Sequence, residues 1–202
     1  MNLTFKGMAD QIADISNLKL GIYQSKARNI AEFGFYSALA YFTPIFFAHP
    51  QIFTGVLVNS MLVCSALYIK GWKKLIPLLV LPSAGILSKG FLFGSLTVYL
   101  FYMLPFIWIG NAIFVFSIKA VHLKHKKHFL SAVIYGSVFK SVFLFGCTFA
   151  LYSLGVVPVM FLTAFGVMQF TTALSAGIIM WPVNELRLKF NKPTTTTVHG
   201  TF

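Results

Sequence analysis

A lysine in the middle of a long apolar segment is the residue best placed to do chemistry in this sequence. Lys140 lies near the centre of segment 129–154, which is longer than the ~20 residues of a transmembrane helix. An ammonium at that depth costs roughly 3 kcal/mol on insertion scales, so it usually faces a cavity, a partner or a ligand. The two acids nearest the apolar segments, Glu32 and Glu185, both lie toward helix ends. The pattern therefore favours an external carboxylate or phosphate as its partner, with snorkelling or a structural role as the alternative.

Other polar residues interrupt neighbouring apolar segments at similar depths. Asn59, Asn111 and Gln169 each contribute one amide, and His49 is expected at the outer mouth. The alternative is that these amides only form hydrogen bonds between helices of the bundle. Such bonds average about 0.6 kcal/mol in one measured membrane protein. Aromatic residues of the same region could wall a pocket. The predicted substrate contacts are Lys140, Asn111, Gln169, Asn59, His49, Trp108 and Tyr102.

The composition predicts an integral membrane protein. Of 202 residues, 57% are hydrophobic and 10% are charged, whereas a soluble domain has about a quarter charged. The formal net charge of +12 does not indicate nucleic-acid binding, because the basic residues form short clusters between apolar runs. A lipid bilayer is the expected surrounding.

Six apolar segments predict an all-α, polytopic protein with six transmembrane helices. Such a chain has both termini on one side, and all lysines and arginines except Lys89 and Lys140 fall on that side. The positive-inside rule therefore places both ends in the cytoplasm and the protein in the plasma membrane. Pro77 and Pro82 make the third segment short and kinked, or shielded by protein. The predicted spans are 30–48, 52–69, 75–88, 96–118, 129–154 and 159–181.

The two ends of the chain are expected to lie outside this six-helix domain of residues 30–183. In segment 1–29, Phe5, Met8 and Ile12 recur at helical spacing, which is typical of an amphipathic helix at the membrane surface. A partly disordered cytoplasmic tail is the alternative. Residues 184–202 are polar and threonine-rich, and are predicted to be a cytoplasmic tail.

A stripe of small residues begins at the cytoplasmic edge of the first span. Ala27, Ala31, Gly34 and Ala38 lie on one helical face and would allow another helix to approach closely. That helix would belong either to the same bundle or to another subunit.

The sequence contains no motif for an enzymatic reaction. There is no P-loop, HExxH, GxSxG or pair of acids within the apolar segments, so we predict no catalytic residue and no cofactor. Cys64 and Cys147 lack metal-ligand spacing, and we read His122, His125 and His128 as a solvated basic loop rather than a metal site.

Several short segments, taken in order, resemble the substrate-binding S components of energy-coupling factor (ECF) vitamin transporters. The likeness covers about residues 30–183. The segments are His49-Pro50 with Thr54-Gly55 and Asn59, Leu81-Pro82-Ser83, Pro105 to Asn111, Val138 to Val142 around Lys140, and Thr172 to Gly177.

The resemblance implies six helices with both termini inside, and a ligand cavity that opens outward. It also implies that small residues on the first helix dock a transmembrane T component, whose two ATPase subunits drive the cycle of an ECF-type ABC importer. The expected function is capture of a small polar or anionic, vitamin-like nutrient without a catalytic step. The alternatives are a membrane scaffold or assembly subunit and an intramembrane enzyme, which would need a reactive residue pair that the sequence lacks.

Overall fold

The computed structural model describes residues 5–21, 25–47, 51–89 and 97–190, which are almost entirely helical and contain no strand. The predicted all-α class is therefore confirmed, and helices occur in all six predicted segments. A π-helical turn, Lys119–Lys124, follows the helix Thr97–Ile118. The helices are α1 Phe5–Ser16, α2 Lys26–Phe46, α3 Gln51–Tyr68, α4 Trp72–Lys89, α5 Thr97–Ile118, α6 Phe129–Ser153, α7 Met160–Phe165 and α8 Val167–Phe190.

Within the described residues, four helical segments are long and apolar enough to cross a membrane. They are Gln51–Tyr68, Val98–Lys124, Phe129–Ser153 and Met160–Phe190. The other two helices at predicted spans are more polar: α2 begins with charged residues and α4 carries lysines at both ends.

The last predicted span is two helices rather than one. The chain bends at Gly166 between α7 and α8, where a Cβ would lie 2.7 Å from the carbonyl oxygen of Leu162. A larger residue would not fit this bend without a shift. After it, α8 continues to Phe190, past the domain boundary expected at residue 183.

Helix α3 lies at the centre of the bundle, in contact with α2, α4, α5 and α8. Close packing elsewhere depends on glycine. A Cβ on Gly85 of α4 would lie 2.1 Å from the carbonyl oxygen of Tyr41, and one on Gly177 of α8 would lie 2.1 Å from Val133. Helix α4 itself stays continuous through Pro77 and Pro82.

The small-residue stripe of α2 faces away from the bundle. Ala27, Ala31, Gly34 and Ala38 are all exposed, and no neighbouring atom lies within 4 Å of a Cβ built on Gly34. Within the described residues, the stripe therefore makes no close contact inside the bundle at Gly34, unlike Gly85 and Gly177.

Candidate functional site

A partly enclosed cavity of about 100 Å³ lies between the first turns of α3, the end of α4 and the α7–α8 bend. This is well above the ~15 Å³ that one water molecule requires. The helix directions place it in the half of the bundle away from the basic residues of the α3–α4 turn and the π-helical turn. Its lining residues are Gln51, Thr54, Gly55, Val58, Asn59, Pro82, Ser83, Ile86, Leu100, Ile107, Asn111, Lys140, Ala164, Phe165, Met168, Gln169 and Thr172.

Lys140 is the charged residue of this lining. It lies roughly 16 Å along α6 at ~1.5 Å per residue, and its side chain is 2% exposed. Its Nζ donates a 2.7 Å hydrogen bond to Asn59 Oδ1 and lies 5.5 Å from the centre of the Phe114 ring. An ammonium has three N–H donors, so the described residues use one of them. Among the described residues, which include all four acids of the chain, no carboxylate pairs with Lys140.

Asn59 is held in one orientation by neighbours on two other helices. Its Oδ1 accepts from Lys140, while its Nδ2 donates to Thr172 Oγ1 at 3.1 Å. Thr172 in turn donates to the carbonyl oxygen of Met168 at 2.7 Å. This chain connects α6, α3 and α8 and fixes the position from which the ammonium meets the cavity.

The other two predicted amides also line the cavity. Asn111 donates from Nδ2 to the carbonyl oxygen of Leu79 at 3.0 Å, which leaves its Oδ1 as an acceptor at the wall. Gln169 is partly exposed, and its side chain makes no hydrogen bond to the described residues. Because Gln169 lies in the first turn of α8, it also brings the positive end of that helix to the cavity.

The lining has the electrostatic character of an anion site. Beside the one cation, its polar side chains are uncharged amides and hydroxyls, and the remaining walls are aliphatic or aromatic. A cationic solute would find no acid there, whereas an anion could pair with Lys140 and place an apolar portion against Leu100, Ile107 and Phe165.

The remaining predicted contacts have different positions. Trp108 is not in the lining, but its Nε1 donates to Ser83 Oγ at 2.7 Å, and Ser83 does line the cavity. Tyr102 is 53% exposed and is not brought to the cavity, because it is two residues, about 200° around α5, from the lining residue Leu100. His49 lies outside the described residues.

Four polar lining residues were not among the predicted contacts: Gln51, Thr54, Ser83 and Thr172. Thr172 follows Gln169 by three positions and so shares its helical face, a signal that could have identified it. Gln51 and Ser83 carry no such signal, since they approach the cavity only through the packing of α3 against α4.

A second buried lysine escaped the sequence analysis, because Lys119 directly follows the predicted span 96–118 and begins the basic segment before the next span. The side chain is 0% exposed. Its Nζ donates to the carbonyl oxygens of Leu18, after α1, and Ile69, after α3, the latter at 2.9 Å. Lys119 therefore joins three segments at the basic end of the bundle.

At the same end, Arg187 is paired with an acid rather than with backbone carbonyls. Arg187 Nη2 lies 2.6 Å from Glu32 Oε1, and Nη1 donates to the Tyr36 hydroxyl at 3.0 Å. The guanidinium also stacks 3.7 Å from the centre of the Tyr68 ring. These contacts fasten the end of α8, which was predicted as part of a tail, to α2 and α3.

Within the described ranges, no three histidine, cysteine or acidic side chains come together as a possible metal-ligand set. Comparison of the chain with known proteins gives no match to a family model, a curated protein or a solved structure.

Proposed function

We propose that the chain is a membrane subunit that captures a small anionic nutrient from outside the cell, as the S component of an ECF-type importer does. The observation that carries this proposal is Lys140, a buried ammonium beside a cavity, with one hydrogen-bond partner and no acid among the described residues. A carboxylate or phosphate would occupy the N–H donors that the described residues leave unused.

The proposed topology has six spans with both termini in the cytoplasm. Helices α2 and α4 would complete the set of four apolar spans, shielded from lipid in part by their contact with each other and with α3. Because Lys70, Lys73 and Lys74 belong to the basic end, the positive-inside rule puts that end in the cytoplasm. The cavity then lies in the outward half.

Uptake against a concentration gradient needs an energy source, and the sequence has no P-loop for ATP, so the proposal includes a T component and ATPase subunits. The exposed stripe of α2 is the proposed contact with the T component, since its small side chains let a partner helix approach the backbone. This assignment follows from the resemblance and from the position of the stripe on the surface of α2 that faces away from the bundle.

Native mass spectrometry of the gently purified chain tests the capture site by detecting a retained small molecule. We expect Lys140→Met to lower its retention at least thirtyfold, because removing one partner of a buried charge pair costs about 2 kcal/mol or more. Thermal unfolding should change less than retention does, since the substitution removes a buried charge but leaves Asn59 Oδ1 without this donor. The matched control is Lys74→Met, at an exposed lysine far from the cavity.

Equal retention by wild type and Lys140→Met would remove Lys140 from the site. A retained molecule without an acidic group would likewise contradict the proposed ligand class.

Substitution of the exposed stripe tests the partner contact. We expect Gly34→Leu to abolish co-purification with the T component while leaving thermal unfolding unchanged, because space is open around Gly34. Gly85→Ala is the contrasting control, and should lower stability by its clash with Tyr41. Normal co-purification of Gly34→Leu would exclude this face of α2.

The second candidate function is a membrane scaffold or assembly subunit. The specific observation in its favour is that Asn59 and Thr172 already bond to each other and so tie α3 to α8. Purified protein that retains no small molecule, yet captures a partner unrelated to an ATPase module, would support the scaffold over the importer.

A further inference from the structure

A second cavity, of about 350 Å³, lies at the basic end of the bundle, between the segment after α1 and the π-helical turn. It does not share a residue with the Lys140 cavity. Its lining residues are Leu18, Lys19, Leu20, Gly21, His122, Leu123 and Lys126.

The lining combines positive charge with apolar surface. Lys19, His122 and Lys126 supply three basic groups from two separate chain segments, and no acidic residue lines the cavity. Lys124 and Lys127 are exposed beside it along the chain. The positive field is therefore not neutralised within the described lining.

The walls of this basic pocket are fixed by contacts of their own. Lys119 Nζ donates a hydrogen bond to the carbonyl oxygen of Leu18, and this bond holds the segment after α1 against the bundle. His122 Nδ1 lies 2.8 Å from the carbonyl oxygen of Lys127, and its ring packs edge-on against Phe129. Because a carbonyl only accepts, Nδ1 carries a proton in this contact.

We propose that this pocket binds the phosphate group of an anionic phospholipid. His122 lies at the end of the candidate span Val98–Lys124, the level at which lipid headgroups meet a protein. Basic pockets at that level bind phosphate headgroups, and here Leu18 and Leu20 provide apolar surface for the adjoining glycerol and acyl carbons. A free phosphate is also an anion, but it has no apolar portion to place against the leucines.

The test titrates the full chain, in a non-ionic detergent, with dioctanoyl phosphatidylglycerol, dioctanoyl phosphatidylcholine or inorganic phosphate. Native mass spectrometry measures retained lipid, and the thermal unfolding temperature reports binding of each probe. We expect phosphatidylglycerol to be retained and to raise the unfolding temperature, and we expect neither phosphatidylcholine nor inorganic phosphate to do so. Lys19→Gln with Lys126→Gln should weaken that binding roughly thirtyfold, by the typical contribution of two basic groups. The control is Lys73→Gln with Lys74→Gln, which removes the same charge from exposed positions at the same end.

Retention of phosphatidylglycerol by wild type and control, but not by the Lys19 and Lys126 variant, supports the proposal. Equal loss in both double variants would show a general charge effect and overturn the pocket. An equal response to phosphatidylcholine would overturn phosphate-charge recognition, and an equal response to inorganic phosphate would overturn the lipid as its source. The unfolding temperature of each variant without added lipid separates lost binding from lost folding.

Discussion

Lys140 and Lys119 are both buried in this bundle, and neither is paired with an acid in the described part of the chain, yet their surroundings differ. Lys119 donates to two backbone carbonyls that belong to different segments. Lys140 donates to one side-chain amide, and its remaining donors lie beside a cavity. Both lysines are almost fully buried, yet Lys119 connects segments of the bundle and Lys140 lines a candidate binding site.

The difference teaches that burial alone does not identify a functional charge. What distinguishes the two is how many donors the fold already uses and whether space remains beside the others. Arg187 shows a third arrangement in the same bundle, in which an acid, a tyrosine hydroxyl and a tyrosine ring contact the cation. Such a group has little capacity left for a solute.

Placing an acid beside Lys140 should have the largest effect, because it would remove the difference in free charge that separates Lys140 from an internally paired cation. In Asn59→Asp, a carboxylate would replace the amide oxygen that lies 2.7 Å from Lys140 Nζ. The neutralised pair would no longer attract an anion, so we expect ligand retention to fall at least thirtyfold, as in Lys140→Met. Asn59→Leu is the matched control that removes the amide without adding charge, and it should retain more ligand. Retention by Asn59→Asp equal to that of wild type, measured by native mass spectrometry, would show that the ligand does not use this charge.

Removing the structural lysine should change stability instead of binding. Lys119→Met leaves the carbonyl oxygens of Leu18 and Ile69 without this donor, so we expect a loss of about 1–3 kcal/mol in the free energy of unfolding. Denaturant unfolding measures the loss, and the retained ligand should be unchanged. A stable Lys119→Met variant that has lost its ligand would reverse the roles assigned to the two lysines.

Removing an uncharged hydrogen bond at the cavity should have the smallest effect of these substitutions on ligand retention. Trp108→Phe removes the donor to Ser83 while keeping an aromatic ring, so we expect about 1 kcal/mol of destabilisation. The same unfolding measurement serves here. Ligand retention should fall far less than in Asn59→Asp, and an equal fall would show that Trp108 controls the cavity as strongly as the charge does.

The sequence located the helices better than their contacts. A described helix lies at each of the six predicted apolar segments, although the last segment contains two helices. The central position of Lys140 follows from its distance along α6. The bend at Gly166 was not anticipated, because glycines within apolar helices are common and this one acts through Leu162 and Phe145. The continuation of α8 to Phe190 was missed for a related reason, since Arg187 reads as a tail residue until Glu32 is brought beside it.

The candidate site was predicted in part. Lys140, Asn59, Asn111 and Gln169 do meet at one cavity, whereas Tyr102 does not reach it. Polar atoms stand out in apolar segments, so the sequence can propose candidates from composition alone. Which face each one occupies depends on how the helices are rotated.

By itself, the sequence determined the helical class, the apolar lengths and the presence of one lysine deep within an apolar segment, because these depend on local composition. Only the tertiary structure decided that Lys140 faces a cavity, that Lys119 donates to two backbone carbonyls and that the α2 stripe faces away from the bundle. The physical reason is that α5 and α6 are apolar on all sides, so no periodicity in their sequences marks an inward face. Their rotation is set by close packing, through Gly136 against Phe114 and Gly177 against Val133.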